Sequence, residues 1–454
     1  MRASSGRRIT RRQALKVAAA VSASIAAPEI VGAALLGRGG AVAPSERITL
    51  GCIGVGRMGQ GHLRAFLGYP SAQILAVCDV DRWRRDNAKE TVEKTYASAQ
   101  PSGNYTGCSA HTDLRELLAR TDIDAVVIAT GDRWHALASA LAAKSGKDIY
   151  CEKPMTLTIH EARAVSDTVR RYGRVFQTGL QQRSTAEFQR ASDLVQNGRL
   201  GRIKNVFVGF PGTCTEVNLP AEPVPESLDW DLWLGPAPWR PFNRRFHELG
   251  QPQNVVVWHF CPDFGGLNLT SNTVHAFDVV QWALGMDSSG PVEVIPPETG
   301  AVPSLTYRYS NGATLQVEWK LDPKKHAVPA GWDPGTTLQP FGALYAGEEG
   351  WIHVGREGFL RAWPEKILER SSGESARPRP IPSHHQNWLD CIRSRERTVC
   401  DAEVGCRSTT VSHLGCIAHW TGRALRWDPL KEEFLGDDQA NRLRSRAYRE
   451  PWTL

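Results

Sequence analysis

The feature that most restricts this chain is Gly54-Val55-Gly56-Arg57-Met58-Gly59, into which the apolar run Ile48 to Val55 leads. A G-x-G-x-x-G spacing alone is a weak signal. Here its context strengthens it: Gln60 to Leu67 suits a helix, and a second strand-like run, Ala72 to Val77, follows. That run ends at Asp79, twenty residues past Gly59. In such a strand–turn–helix unit the glycines let backbone amides approach a pyrophosphate, and the helix N-terminus favours its charge. The acidic residue meets the ribose hydroxyls. The expected ligand is a dinucleotide held by Gly54, Gly56, Arg57, Met58, Gly59 and Asp79. The Asp79 carboxylate repels a 2′-phosphate and favours NAD over NADP, whereas Arg82, Arg84 and Arg85 nearby work against that preference.

The alternation continues. Leu114 to Ala119 reads as helix, Ala125 to Ala129 as a buried strand, Ala136 to Ala143 as helix and Ile149 to Cys151 as the next strand. Ile159 to Tyr172 reads as helix and Arg174 to Gly179 as a further strand. Strands alternating with helices imply a doubly wound parallel sheet, which binds ligands at its carboxyl ends. Three stretches reach that edge: the loop Thr130-Gly131-Asp132-Arg133-Trp134-His135, then Glu152-Lys153-Pro154, then Gln181-Gln182-Arg183. Thr130, Trp134, His135, Glu152, Lys153 and Gln181 are the cofactor-side candidates there. Most lysines after a strand are merely solvated, but Lys153 shares its edge with a complete dinucleotide turn.

At 454 residues the chain is too long for one ordinary core. The expected division is a signal segment over 1–43, a Rossmann domain over 44–183 and an α+β domain over 184–454. In the last, Ala186 to Asn197 is helix-like and Ile203 to Phe210 strand-like. A Pro- and Trp-rich stretch, Pro220 to Phe246, is either a wall for a sugar-like substrate or a loop packed on its own domain. After Gly265-Gly266, a helix is expected from about Asn272, with Ser271 as N-cap and Gly285 as stop. It places His275 and Asp278 on one face, a plausible proton-transfer pair, although a satisfied structural histidine is the commoner outcome of such spacing. The runs 304–309, 313–320, 342–346 and 350–354 imply an open, mostly antiparallel sheet. His384 to Arg393 and Ser408 to Arg426 are expected as helices. The last residues, Asp437 to Leu454, are expected to lie along the surface.

Residues 1–43 carry seven Arg/Lys and one acid, Glu29, which accounts for the whole formal charge of +6. The body is neutral, so nothing favours nucleic acid over a neutral small molecule. Thr10-Arg11-Arg12-Gln13-Ala14-Leu15-Lys16 is a twin-arginine pattern followed by Ala-rich apolar residues, so export to the periplasm by that machinery is expected. The ten cysteines show no two-residue spacing of a zinc or redox motif, and no metal site is expected. An exported chain could form disulfides, which spacing does not pair.

Together, Gly54 to Gly59, Asp79, Asp132 to His135, Glu152-Lys153-Pro154 and Gly265-Gly266 leading to His275 and Asp278 resemble the glucose–fructose oxidoreductase / inositol dehydrogenase (Gfo/Idh/MocA) family. The likeness covers residues 46–454 and is greatest to exported twin-arginine members. It implies a Rossmann domain plus an open-faced sheet domain, NAD(P) in the cleft, and a sugar, cyclitol or derivative as substrate. Lys153 and His275 would be catalytic. Arg183, Ser271 and Asp278 would join them around the substrate. Self-association through the second-domain sheet is also implied. One position departs: dehydrogenases of this family often carry Asp four residues before the histidine, where this chain has Ser271. The expected activity is NAD(P)-dependent oxidation of a secondary alcohol. The alternatives are a redox-neutral glycosidase or lyase that oxidises its sugar transiently, and a non-catalytic, NAD-loaded sugar-binding protein.

Overall fold

The computed structural model describes residues 43–98, 105–247, 257–369 and 382–454. The expected signal segment, apart from Ala43, lies outside them. Six short apolar strands form the first sheet: β1 Ile48–Ile53, β2 Ala72–Cys78, β3 Ser109–His111, β4 Ala125–Ile128, β5 Asp148–Cys151 and β6 Phe176–Thr178. Their order is β3-β2-β1-β4-β5-β6, with every pair parallel. The order reverses between β1 and β4, which opens a crevice at their carboxyl ends.

The helices of this half are Arg57–Leu67, Arg82–Ser98, Leu114–Leu118, Asp132–Lys144 and Ile159–Arg171. The last starts with a complete capping box, Thr158 with Glu161. The helix Asp132–Lys144 begins earlier than expected, so Asp132 to His135 form its first turn and not a loop. Its buried alanines allow close packing against the sheet, and the capping-type Gly131 starts it directly after β4. Arg82–Ser98 gives no clear sequence signal because only Ala88 and Val92 on it are buried.

The second sheet has nine strands in the order β13-β12-β11-β7-β10-β9-β8-β14-β15. They are β7 Ile203–Val208, β8 Glu293–Ile295, β9 Thr306–Arg308, β10 Thr314–Val317, β11 Ala343–Gly347, β12 Trp351–Val354, β13 Leu360–Trp363, β14 Leu425–Asp428 and β15 Glu433–Phe434. Among the described residues β7 with β10 is parallel and the other pairs are antiparallel. Helices Ala186–Gln196, Thr273–Ala283 and Ala402–Thr421 cover one face, burying Phe188, Phe277 and Leu414 against Tyr307, Leu315 and Tyr345. On the other face Phe207, Leu344 and Trp351 are covered by the chain's own Leu321, Trp332 and Leu338.

The helix expected over 408–426 runs instead over Ala402–Thr421. Asp401 caps its start, accepting from the Glu403 and Val404 amides, and Gly422 at φ 65° ends it. The chain is then free to extend, and Leu425 and Arg426 pair with β8. All ten cysteines are buried and free in the structure.

The cores interlock along the chain. Trp388, Leu389 and Cys391 from the helix His384–Ser394 pack with β1 and β2 residues, and Ala402, Cys406 and Trp452 pack on the opposite side of the first sheet. The C-terminal residues do not simply run along the surface. Tyr448 donates to Glu161 (2.8 Å), Arg449 to Asp231 (2.6 Å), and the Trp452 ring lies edge-on to Trp134, 5.0 Å away. Trp452→Ala should lower stability by about 3 kcal/mol, because a nearly buried indole leaves a cavity beside Trp134. Thermal unfolding of variant and parent checks this; equal midpoints would show that the clasp contributes nothing.

Candidate active site

The glycine turn follows directly from β1. Gly54 has φ 80°, and a Cβ there would stand 2.7 Å from the Ala129 backbone at the end of β4. A Cβ at Gly59 would overlap the Gly54 carbonyl oxygen. Only glycine lets the turn close onto both neighbours. The Asp79 carboxylate, at the end of β2, accepts from the Val55 and Asp81 amides, each at 2.9 Å. It thereby fixes the turn to the neighbouring strand and retains lone pairs for a ligand. Gly54, Gly56, Arg57, Met58, Asp79, Thr130 and Trp134 all border one cavity of about 590 Å³.

The facing wall comes from the Trp-rich stretch. Trp230 and Trp233 stack at 4.4 Å within a buried cluster that includes Phe242, Phe246 and Phe264. The stretch packs on its own domain, as the second reading has it, and Trp233 and Phe246 border the cavity on the dinucleotide side. Arg133 lies over the Trp233 ring at 3.5 Å and donates to its carbonyl at 2.8 Å. The Trp233 indole donates to His247 Nδ1 (3.0 Å), which leaves Nε2–H to donate to Asp81 (2.9 Å). These bonds tie the wall to the carboxyl end of β2.

Lys153 stands past β5, before a cis bond to Pro154. Its ammonium donates to the Ser271 carbonyl at 2.6 Å. Ser271 is not an N-cap. It ends a short helix, Leu267–Ser271, and Asn272 separates that helix from Thr273–Ala283. The Ser271 hydroxyl instead lies 3.4 Å from His259 Nδ1. His275 is almost fully buried and packs edge-on against Phe341 at 5.7 Å. Its Nδ1 has no hydrogen-bond partner. Burial, then the charges of Lys153 and Arg356, push its pKa well below the usual histidine range. Asp132 is buried with one carboxylate oxygen unpartnered. Burial raises its pKa to about 7 against the opposing charges of Lys153 and Arg133.

Several expected ligand contacts are replaced by internal ones. His135 is held between the carbonyls of Pro154 (2.7 Å) and Thr130 (3.1 Å), so it braces two loops and does not border the cavity. Gln181 bonds to Tyr150 (3.1 Å) and Glu152 (3.0 Å), and Glu152 also meets His62 (2.9 Å). Both lie behind Lys153, outside the cavity lining. Arg183 and Asp278 bind each other at 2.8 Å with almost no exposure, and Asp287 and Ser408 complete the set. Their pairing leaves neither free for a substrate. Asp278 makes no hydrogen bond to His275 although both lie on one helix. Lys153 too is absent from the cavity lining; it reaches the cavity through Ser271 and His259.

Family models match residues 48–180 as "Oxidoreductase family, NAD-binding Rossmann fold" and residues 201–329 and 349–454 as "Oxidoreductase family, C-terminal alpha/beta domain". The chain belongs to the Gfo/Idh/MocA family. Among its relatives, the uncharacterized oxidoreductase YrbE of Bacillus subtilis is 29% identical over 157 residues, 35% of this chain and 42% of that protein. The alpha-N-acetylgalactosaminidase of Shewanella oneidensis is 34% identical over 180 residues, 36% of this chain and 37% of that protein. The chain thus spans less than half the length of these curated relatives. The WlbA dehydrogenase of Bordetella pertussis, solved with NADH and UDP-GlcNAcA, shares the fold at TM-score 0.55 and 17% identity, covering 84% of this chain and 99% of that one. Levoglucosan dehydrogenase, solved with NADH and levoglucosan, does so at TM-score 0.53 and 16% identity, with 84% and 99% covered.

Within this Gfo/Idh/MocA chain, His247 and His259 are the site residues that sequence reasoning missed. Neither sits in a periodic element, and the sole signal was the aromatic density around them. Glu152 yields a test of the scaffold behind Lys153. Burial raises its pKa, but the hydrogen bond and charge of His62, with the charge of Lys153, outweigh burial and bring it to about 2, below the ordinary 4.5. Its stabilising contribution is therefore complete above about pH 4.5 and is lost as pH falls toward 2, on the order of 3 kcal/mol in all. Glu152→Gln lacks this dependence. The stability gap between parent and variant should narrow from pH 7 to pH 3 in denaturant melts; a constant gap would refute the assignment.

Proposed function

We propose that this chain binds NAD in the cavity and oxidises a secondary alcohol of a sugar, cyclitol or derivative at the Lys153 end. One observation carries this reading: the glycine turn and His259 line one cavity, and Ser271 links His259 to the Lys153 ammonium. The glycine turn suits a pyrophosphate because its glycines bare the backbone beside the Arg84 guanidinium, and Asp79 suits a ribose. The nearby arginines are engaged: Arg85 with the Asp79 carbonyl and Thr112, Arg82 with the Glu226 carbonyl, and Arg84 with Asp81 at 3.7 Å. This supports NAD over NADP. Bound there, NAD supplies the hydride acceptor. Lys153 holds the substrate oxygen, Ser271 fixes the lysine, and the wall at Trp233 and Phe246 keeps water from the reacting carbon.

The resemblance to alpha-N-acetylgalactosaminidase over about a third of the chain favours a second reading. In it, oxidation is transient, the sugar loses a leaving group, and the retained cofactor is reoxidised. Native mass spectrometry of purified protein, then a sugar panel read for NADH and for altered sugar, separates the readings. Net NADH supports the oxidoreductase, altered sugar without NADH supports the second reading, and neither supports a binding protein. Lys153→Met should abolish turnover, by more than about 10²-fold, with NAD still bound. Retained turnover would remove Lys153 from the mechanism.

The chain is further inferred to leave the cytoplasm through the twin-arginine route and to self-associate through the second-domain sheet, where exposed Arg308 pairs with half-buried Glu293 beside the self-covered patch. Changing Arg11 and Arg12 together to Lys should hold the protein in the cytoplasmic fraction. Unaltered fractionation would dismiss the export reading.

A further inference from the structure

We propose that His259 is the general base of this site, receiving the substrate hydroxyl proton through the Ser271 hydroxyl. The proposal rests on the oxidoreductase reading above and names the base that it requires.

Ser271 is bonded at both ends: its carbonyl accepts from Lys153 (2.6 Å) and its hydroxyl meets His259 Nδ1 (3.4 Å). Lys153 and His259 are thus joined through one residue that cannot itself ionise at working pH. His259 borders the dinucleotide cavity, whereas the histidine expected in this role, His275, does not. His275 faces Phe341. The His259 ring is positioned on two sides. Trp258 stacks on it at 3.7 Å and 27°. Beneath it, a Cβ on Gly265 would stand 3.2 Å from the His259 Cα, so the Gly265-Gly266 pair lets the turn Val257–Phe260 settle beside Ser271. A histidine that accepts a proton must be unprotonated, and so neutral, at rest. Burial, then the facing charges of Lys153 and Arg133, hold the His259 pKa at about 4, which keeps the ring neutral near pH 7.

The step balances. The substrate C–H bond breaks and its hydrogen leaves with the electron pair as hydride, which NAD bound in the cavity would accept. The O–H bond breaks as its proton passes to the Ser271 oxygen and the serine proton passes to His259 Nδ1. The C=O bond forms, and protonated His259 then releases its proton to water. Products are a ketone and reduced cofactor.

The full-length protein with NAD and a converted sugar from the panel supplies the test. His259→Ala should lower kcat by about 100-fold, with NAD affinity by calorimetry changed by less than about tenfold. Added imidazole should restore the rate at least about tenfold, and only in its neutral form, because it occupies the vacated space. His259→Asn, closer in shape, should lose a similar factor and the acidic limb of the pH profile. Independently of turnover, the ¹⁵N-histidine signal missing from His259→Asn should titrate near pH 4 in the parent. It should titrate higher in Lys153→Met and shift when NAD is added. Variants within about threefold of the parent kcat, or losses with an unchanged pH profile and no imidazole rescue, overturn the proposal. A signal indifferent to both NAD and Lys153→Met does so too. A parent that converts no sugar overturns the oxidoreductase reading and the proton transfer with it, whereas an active parent with active His259 variants overturns only the role of His259.

Discussion

The buried Glu152 carboxylate is the interaction around which the site is assembled. An isolated charge at that depth would cost several kcal/mol, so its partners are obligatory. It meets His62 on the helix that follows the glycine turn, Gln181 at the end of β6 and the Lys153 amide. His62 continues to His385 at 2.8 Å, on the helix that returns from the far end of the chain. One charge thereby sets the mutual positions of the dinucleotide turn, the lysine loop and a distant helix. Glu152 was expected to touch the cofactor; in the structure its oxygens meet His62, Gln181 and the Lys153 amide, which fixes the loop that carries Lys153.

What the sequence revealed and what it concealed follow from the range of the interactions concerned. The strands β1, β2, β4 and β5 are short apolar runs bounded by glycine and charge, so local pattern sufficed. The glycine turn and Asp79 were legible because a backbone geometry demands those residue types at that spacing. The strand β3 and the helix Arg82–Ser98 were not, since neither carries a strong apolar stripe. Ser271 looked like a cap because serine before an apolar run usually caps, yet its hydroxyl found His259, twelve residues upstream. Arg183 and Asp278 looked like ligand groups because each is polar near a strand or helix end. Only the fold brings them together and neutralises both.

The two sides of the second sheet differ in how their apolar residues are satisfied. Three helices cover one side, and the chain's own segment with Leu321, Trp332 and Leu338 covers part of the other. The apolar surface left for a second copy is correspondingly smaller than an open sheet would offer. Beyond this patch β9 and β10 present Arg308 and the half-exposed Thr314, so any association there relies on polar pairing at its margin.

The return of the chain to its beginning has a consequence for how the molecule is made. The first sheet is encoded before residue 180, but its two faces are completed by Trp388, Ala402, Cys406 and Trp452. Synthesis runs from the N-terminus, so β1 to β6 emerge from the ribosome with apolar surface that no neighbour yet covers. The nucleotide-binding half, translated before the residues that cover it, is sealed only once Trp452 has been released.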